Sequence, residues 1–227
     1  MFRDFVRIIF PDFCCHCNEP LVGDERFLCT RCMSKIPWSN DAALSDNETE
    51  HRLVGQIPLE AAASLLYFHK GNVAQSIIHQ IKYHGNIQLA RQYGHLLGDA
   101  LKESGRFDTI DYIVPVPLHW WRRLRRGYNQ SQLLALAVSE VMNIPVADKN
   151  LYRHRYTSSQ THKNRQQRAL NVSSAFRVRR PDRFQGKHIL LIDDVITTGA
   201  TMEACYHALA PIPDLRISIA SLAITTL

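Results

Sequence analysis

A chain of 227 residues with 45% hydrophobic and 21% charged residues fits a globular protein and excludes a disordered one, with room for one ordinary domain and a small appendage. No apolar run approaches the roughly 20 residues that a membrane-spanning helix needs, so no membrane insertion is expected. The net charge of +6 is uneven, because 119–183 holds fourteen Lys and Arg against three acids, a local +11 that leaves −5 elsewhere; such an imbalance points to an anionic partner, phosphate groups or nucleic acid.

Met1 to Phe10 is apolar but interrupted by Arg3, Asp4 and Arg7, which reads as a short amphipathic helix rather than a secretory signal. A cytoplasmic protein is expected. Five of the six cysteines then fall between Cys14 and Cys32. Cys14-x-x-Cys17 and Cys29-x-x-Cys32, eleven residues apart, make two knuckles whose four thiolates can close a tetrahedron around a structural Zn2+. Cys15 and His16 could replace a ligand in principle, but the paired spacing favours Cys14. Residues 1–40 are thus expected to form a zinc-ribbon-like module, 41–56 (polar, acidic, poor in apolar residues) a linker, and 57–227 the main domain.

Strand and helix patterns alternate through that domain. A strand is predicted at Ala61–Phe68 and a helix at Val73–Tyr83, with Val73, Ile77, Ile78 and Ile81 on one face. Further helices are predicted at Ile87–Glu103, Ser131–Met142 and Thr201–Ala210, and strands at Ile110–Val116, His188–Ile192 and Leu215–Ile224. This order implies an α/β fold, a mainly parallel sheet flanked by helices, with ligands beyond the carboxyl ends of the strands. Cys205 falls on the apolar face of the last helix and reads as a core residue.

The strand His188–Ile192 runs into Asp193 and Asp194, then Thr197-Thr198-Gly199-Ala200-Thr201 opens a helix. Two adjacent carboxylates, expected at a solvent-facing strand end, suit the neighbouring hydroxyl donors of a ribose diol. The N–H groups and hydroxyls of the Thr-rich turn suit a phosphate, with Gly199 allowing close approach. Neither G-x-x-x-x-G-K-[ST] nor G-x-G-x-x-G occurs, which sets aside P-loop and dinucleotide-binding readings.

This segment resembles the phosphoribosyl-pyrophosphate signature of type I phosphoribosyltransferases. The resemblance widens to the ComF (competence protein F) family through Ile81-Lys82-Tyr83, Ile113–His119, Arg126-Gly127-Tyr128-Asn129-Gln130, and the stretch from Arg153 to Gln160 with Arg168, Asn171 and Ala175-Phe176. It implies a phosphoribosyl pyrophosphate or nucleotide ligand, Mg2+ with the pyrophosphate, and a role linked to DNA uptake. Similarity to the transferases gives pyrophosphate binding to the segment after Val116, with Arg126 and Gly127 as candidates and Asn129 and Gln130 as polar support. Arg168 lies in 154–171, a polar basic stretch long enough for a lid and compatible with a short helix. Trp120 and Trp121 beside Arg122, Arg123 and Arg125 suit either base stacking or packing.

Three functions remain open at this stage. One is a phosphoribosyltransferase, a glycosyltransferase-class enzyme whose acceptor the sequence does not name. Another is a non-catalytic nucleotide sensor. The third is a nucleic-acid-handling adaptor that binds single-stranded DNA or a helicase-like competence partner.

Overall fold

The computed structural model describes residues 11–118, 127–154 and 175–226. The helix expected over the first ten residues, Trp120 to Arg126, and most of the expected lid with Arg168 lie outside them. No described helix is long and apolar enough to cross a membrane.

Chain order runs α1 (Thr30–Met33), α2 (Glu48–Leu53), β1 (Ala62–Phe68), α3 (Val73–Tyr83), α4 (Ile87–Glu103), β2 (Tyr112–Pro115), α5 (Gln130–Met142), β3 (Leu151–Arg153), β4 (Phe176–Val178), a 3-10 turn (Pro181–Arg183), β5 (His188–Ile196), α6 (Ala200–Leu209) and β6 (Arg216–Thr225). Asparagine caps start three helices. Asn47, Asn72 and Asn86 accept from the N–H groups of Glu50, Gln75 and Leu89 and satisfy donors that the helix cannot.

Four parallel strands form the central sheet in the order β1-β6-β5-β2. Leu190 and Ile192 face a core shared with α3, α4, α5 and the cysteine module, whereas Leu191 and Ile189 face one shared with α2, α6 and the β3–β4 ribbon. Burial on both faces explains why these strands read as continuous apolar runs.

Irregular chain covers both outer strands. Beside β1, the Ser39 N–H donates to Leu65 O (2.9 Å) and the Tyr67 N–H to Pro37 O (2.8 Å). Beside β2, the Ile113 N–H donates to Pro145 O (3.0 Å) and the Ala147 N–H to Ile113 O (2.8 Å).

Two expectations are corrected. The polar stretch 41–56 is not a bare tether: it contains α2, whose Leu53 is fully buried, and Asp41, Asn47 and Thr49 are buried with it. The Thr49 hydroxyl lies between the Asp41 carboxylate and Ser64 Oγ (2.8 Å), and Ser64 Oγ meets Ser221 Oγ at 2.7 Å. Asn47 Nδ2 donates to the carbonyls of Asp41, Leu44 and Ala62. Polar side chains that satisfy one another are buried here without hydrophobicity. The second correction is that β5 does not stop at Ile192 but pairs with β6 through Ile196, so both aspartates lie inside the strand.

Candidate functional site

The carboxyl ends of the parallel strands share one edge, and a cavity of about 880 Å³ opens there. β5 contributes Asp193 and Asp194 to its wall, and the following turn with α6 contributes Thr197 and Thr201. Lys82 and His84 come from the end of α3, Ser131 from the first turn of α5, and Arg153 from β3.

Asp193 is half-buried, and its Oδ1 accepts from Ser131 Oγ (2.8 Å) and from the Asp194 N–H (2.8 Å). Burial, followed by the charge on Asp194, pushes its carboxyl up to about 7. Asp194 instead forms an ion pair with Lys82 Nζ at 2.9 Å, the two side chains only 13% and 21% exposed. Side chains alternate across a strand, so the adjacent acids take different partners. Neither is the open, solvent-facing acceptor that the sequence suggested. Lys82 sits in the last turn of α3, where a cation also complements the helix dipole.

The turn between β5 and α6 places Thr197 and Thr201 on the cavity wall, while Thr198 and Ala200 are exposed beside it. Gly199 is buried with φ +83°, and a Cβ there would come 2.9 Å from Leu53 Cδ2 and 2.8 Å from Gln56 Oε1. Glycine is thus required by the packing of α2 against the turn, a reason the sequence did not disclose.

The other anion candidates are spread out. Gly127 is exposed, and Asn129 caps no helix N–H but donates from Nδ2 to Val116 O at 3.1 Å. Gln130 is fully buried and off the cavity wall. The Tyr128 hydroxyl donates to the Ile81 carbonyl, tying this segment to the end of α3. Arg126 and Arg168 lie outside the described residues. Lys82, Ser131 and Arg153 were missed as site residues. Lys82 and Arg153 stand in the motif-bearing stretches, but nothing local in the sequence marks either as facing Asp193 and Asp194.

Away from this edge, Cys14, Cys17, Cys29 and Cys32 bring four sulfurs within 4.8 Å of one another. The Cys17–Cys29 Sγ separation of 3.7 Å equals the edge of a tetrahedron with bonds of about 2.3 Å, so the donor set fits a metal such as zinc. Burial raises the Cys14 thiol, but backbone N–H donors from Cys17, Cys29 and His16 outweigh it and bring the group to about 6. Cys15 is not one of the four clustered sulfurs, and burial followed by the charge of Cys14 pushes its thiol up to about 12. His16 Nδ1 meets Ser76 Oγ of α3 at 3.0 Å, outside the cluster.

Residues 129–223, which carry α5, β5, the Thr-rich turn and α6, match the phosphoribosyl transferase domain family, so this part of the parallel sheet and its strand-end site are similar to phosphoribosyltransferases. The purine phosphoribosyltransferase of Pyrococcus horikoshii resembles 60% of the chain over 73% of its own, at a TM-score of 0.40 and 18% identity. Among curated proteins, DNA utilization protein YhgH of Salmonella typhi is 31% identical over 193 residues, 83% of this chain and 74% of that protein. Competence protein F of Haemophilus influenzae is 32% identical over 130 residues, 56% of this chain and 57% of that protein. The chain belongs to this competence protein F and YhgH family.

Proposed function

We propose that this protein binds 5-phosphoribosyl 1-pyrophosphate, or a nucleotide carrying ribose 5-phosphate, in the strand-edge cavity, and acts as a phosphoribosyltransferase-type protein in the uptake or use of DNA. The observation that carries this reading is the meeting of Asp193 and Asp194 with Thr197 and Thr201 in one cavity. Asp193 and Asp194 accept from the ribose diol, and the turn from Thr197 through Thr198, Gly199 and Ala200 to Thr201 holds the 5-phosphate at the start of α6. Lys82 and Arg153, on the same cavity wall, supply positive charge for the pyrophosphate. When an acceptor nucleophile bonds to the ribose C1′ and the C1′–oxygen bond to pyrophosphate breaks, positive charge develops on the ribose, so orientation and leaving-group stabilisation supply the rate without a covalent intermediate. The oxygens of Asp193 and Asp194 suit Mg2+, which when bound would offset the negative charge of the leaving pyrophosphate. Zn2+ on the four cysteines is structural, and clustered thiolates suit the reducing cytoplasm.

Calorimetric titration of phosphoribosyl pyrophosphate with and without magnesium, then a pyrophosphate-release assay, tests this reading. Binding with release supports the enzyme, binding alone supports a nucleotide sensor, and no binding overturns the assignment. A second reading, contact with single-stranded DNA or a helicase-like partner, rests on the +11 charge of 119–183 and on the DNA-related names of the relatives.

A further inference from the structure

The underside of the 5-phosphate turn is held by α2. Arg52, with its side chain only 12% exposed, donates from Nη1 to the Thr197 carbonyl at 2.5 Å and from Nη2 to the Thr225 carbonyl at 2.8 Å. Glu48, one turn earlier on α2, accepts from the same Nη2 at 3.2 Å and keeps the guanidinium in place. The two carbonyls belong to the ends of neighbouring strands, since Ile196 and Ile224 are in register. Arg52 therefore clamps the exits of β5 and β6 together at the point where the turn begins.

The helix is itself anchored to the sheet. Glu50 Oε1 accepts from the Ala62 N–H at 3.1 Å and pairs with Arg106, and Asn47 Nδ2 donates to the Ala62 carbonyl at 2.8 Å. Arg52, Leu53 and Gln56 are all absent from the cavity wall, so they act from behind the turn. Every described peptide is trans. In a trans peptide the carbonyl of one residue and the N–H of the next share a plane and point in opposite directions. With the Thr197 carbonyl drawn toward Arg52, the Thr198 N–H is turned away from α2.

We propose that Arg52 is a positioning residue for phosphate recognition: it fixes the Thr197–Thr198 peptide so that the turn is set for a 5-phosphate before the ligand arrives. This inference rests on the phosphoribosyl-binding reading above. Without Arg52 the turn must be ordered by the ligand itself, and that ordering weakens binding.

Ribose 5-phosphate and inorganic pyrophosphate, titrated separately into the full-length zinc-loaded protein and its Arg52→Ala, Arg52→Gln and Arg52→Lys variants, test the proposal. Arg52→Ala should weaken ribose 5-phosphate binding by roughly 10- to 100-fold, the scale on which misplacing a recognition group acts, and leave pyrophosphate binding unchanged. Arg52→Lys, able to reach one carbonyl, should recover part of the loss. If the wild type binds ribose 5-phosphate and the folded variants bind it equally well, the positioning role is overturned. Equal losses for both ligands with a lower melting temperature also overturn it, leaving a structural strut. A wild type that does not bind ribose 5-phosphate overturns the parent reading instead.

Discussion

Gly199→Ala is the sharpest test of the packing behind the Thr197–Thr201 turn. At φ +83° an L-residue costs about 1–2 kcal/mol that glycine avoids. The added methyl must also displace Leu53 Cδ2 and Gln56 Oε1, 2.9 and 2.8 Å from the new carbon. Gln56 can swing aside, but Leu53 is fully buried, and overpacking a buried neighbour costs about 1–3 kcal/mol. Together these give a loss of about 2–5 kcal/mol, readable as a shift of the urea midpoint at constant slope. Pairing Gly199→Ala with Gln56→Ala should recover only the smaller share, because the Leu53 contact and the backbone strain remain. Ribose 5-phosphate affinity should fall along with stability, since the same displacement moves Thr197 and Thr201. A Gly199→Ala variant within about 0.5 kcal/mol of wild type would refute the claim that α2 packs under the turn.

Asp193→Asn with Asp194→Asn should abolish phosphoribosyl binding while the protein stays folded, each lost charge-assisted hydrogen bond costing about 1.5–3 kcal/mol; unchanged affinity by calorimetry would sink the diol assignment. Asp193 has its folded pKa raised to about 7 from 3.8, so the native state holds the extra proton between those values. Its contribution to stability therefore declines as pH rises from about 4 to about 7, and denaturation series at several pH values should show Asp193→Asn removing that decline. The purified protein should carry about one zinc per chain, lost on Cys14, Cys17, Cys29 or Cys32 to Ser and kept on Cys15→Ser; elemental analysis decides, and loss on Cys15→Ser would overturn the ligand set. Single-stranded DNA affinity should fall with salt at a log–log slope of roughly −0.7 per phosphate contact, and Arg122, Arg123 and Arg125 to Ala should flatten it; no DNA binding at low salt removes direct contact as a role.

What was legible in the sequence follows from where the physics is local. The helices at Val73–Tyr83 and Ile87–Glu103 were readable because apolar residues recur at helical spacing. The parallel core was readable from unbroken apolar strands. Asp193 to Ile196 were misjudged because backbone pairing with β6 continues regardless of side-chain charge. The α2 segment was missed because its burial depends on polar partners distant in sequence, Ser64 and Ser221 among them. A local sign was present, since Asn47 and Glu50 have the spacing of a helix-start capping pair. The three-residue strands β3 and β4 are too short for any periodicity to mark. In the cavity, Asp193, Asp194 and the threonines form one contiguous motif, whereas Lys82, Ser131 and Arg153 reach it only through topology.

The covered edges of the sheet bear on how this protein fails as well as how it works. An exposed strand edge offers unpaired N–H and carbonyl groups to any other chain and is a recognised route to aggregation. Here β2 is guarded by residues 145–147, whereas β1 is guarded by Pro37 to Ser39, which follow directly from the cysteine cluster. The guard on β1 is thus anchored by a four-cysteine cluster that fits a metal rather than by a strand of its own. Chelation or oxidation of those thiols is expected to free the guard and bare the β1 edge before the rest of the sheet unfolds. Metal loss should therefore appear first as turbidity and higher-order association in light scattering, ahead of any fall in helical signal. Handling the protein without strong chelators, and under reducing conditions, follows from the same feature.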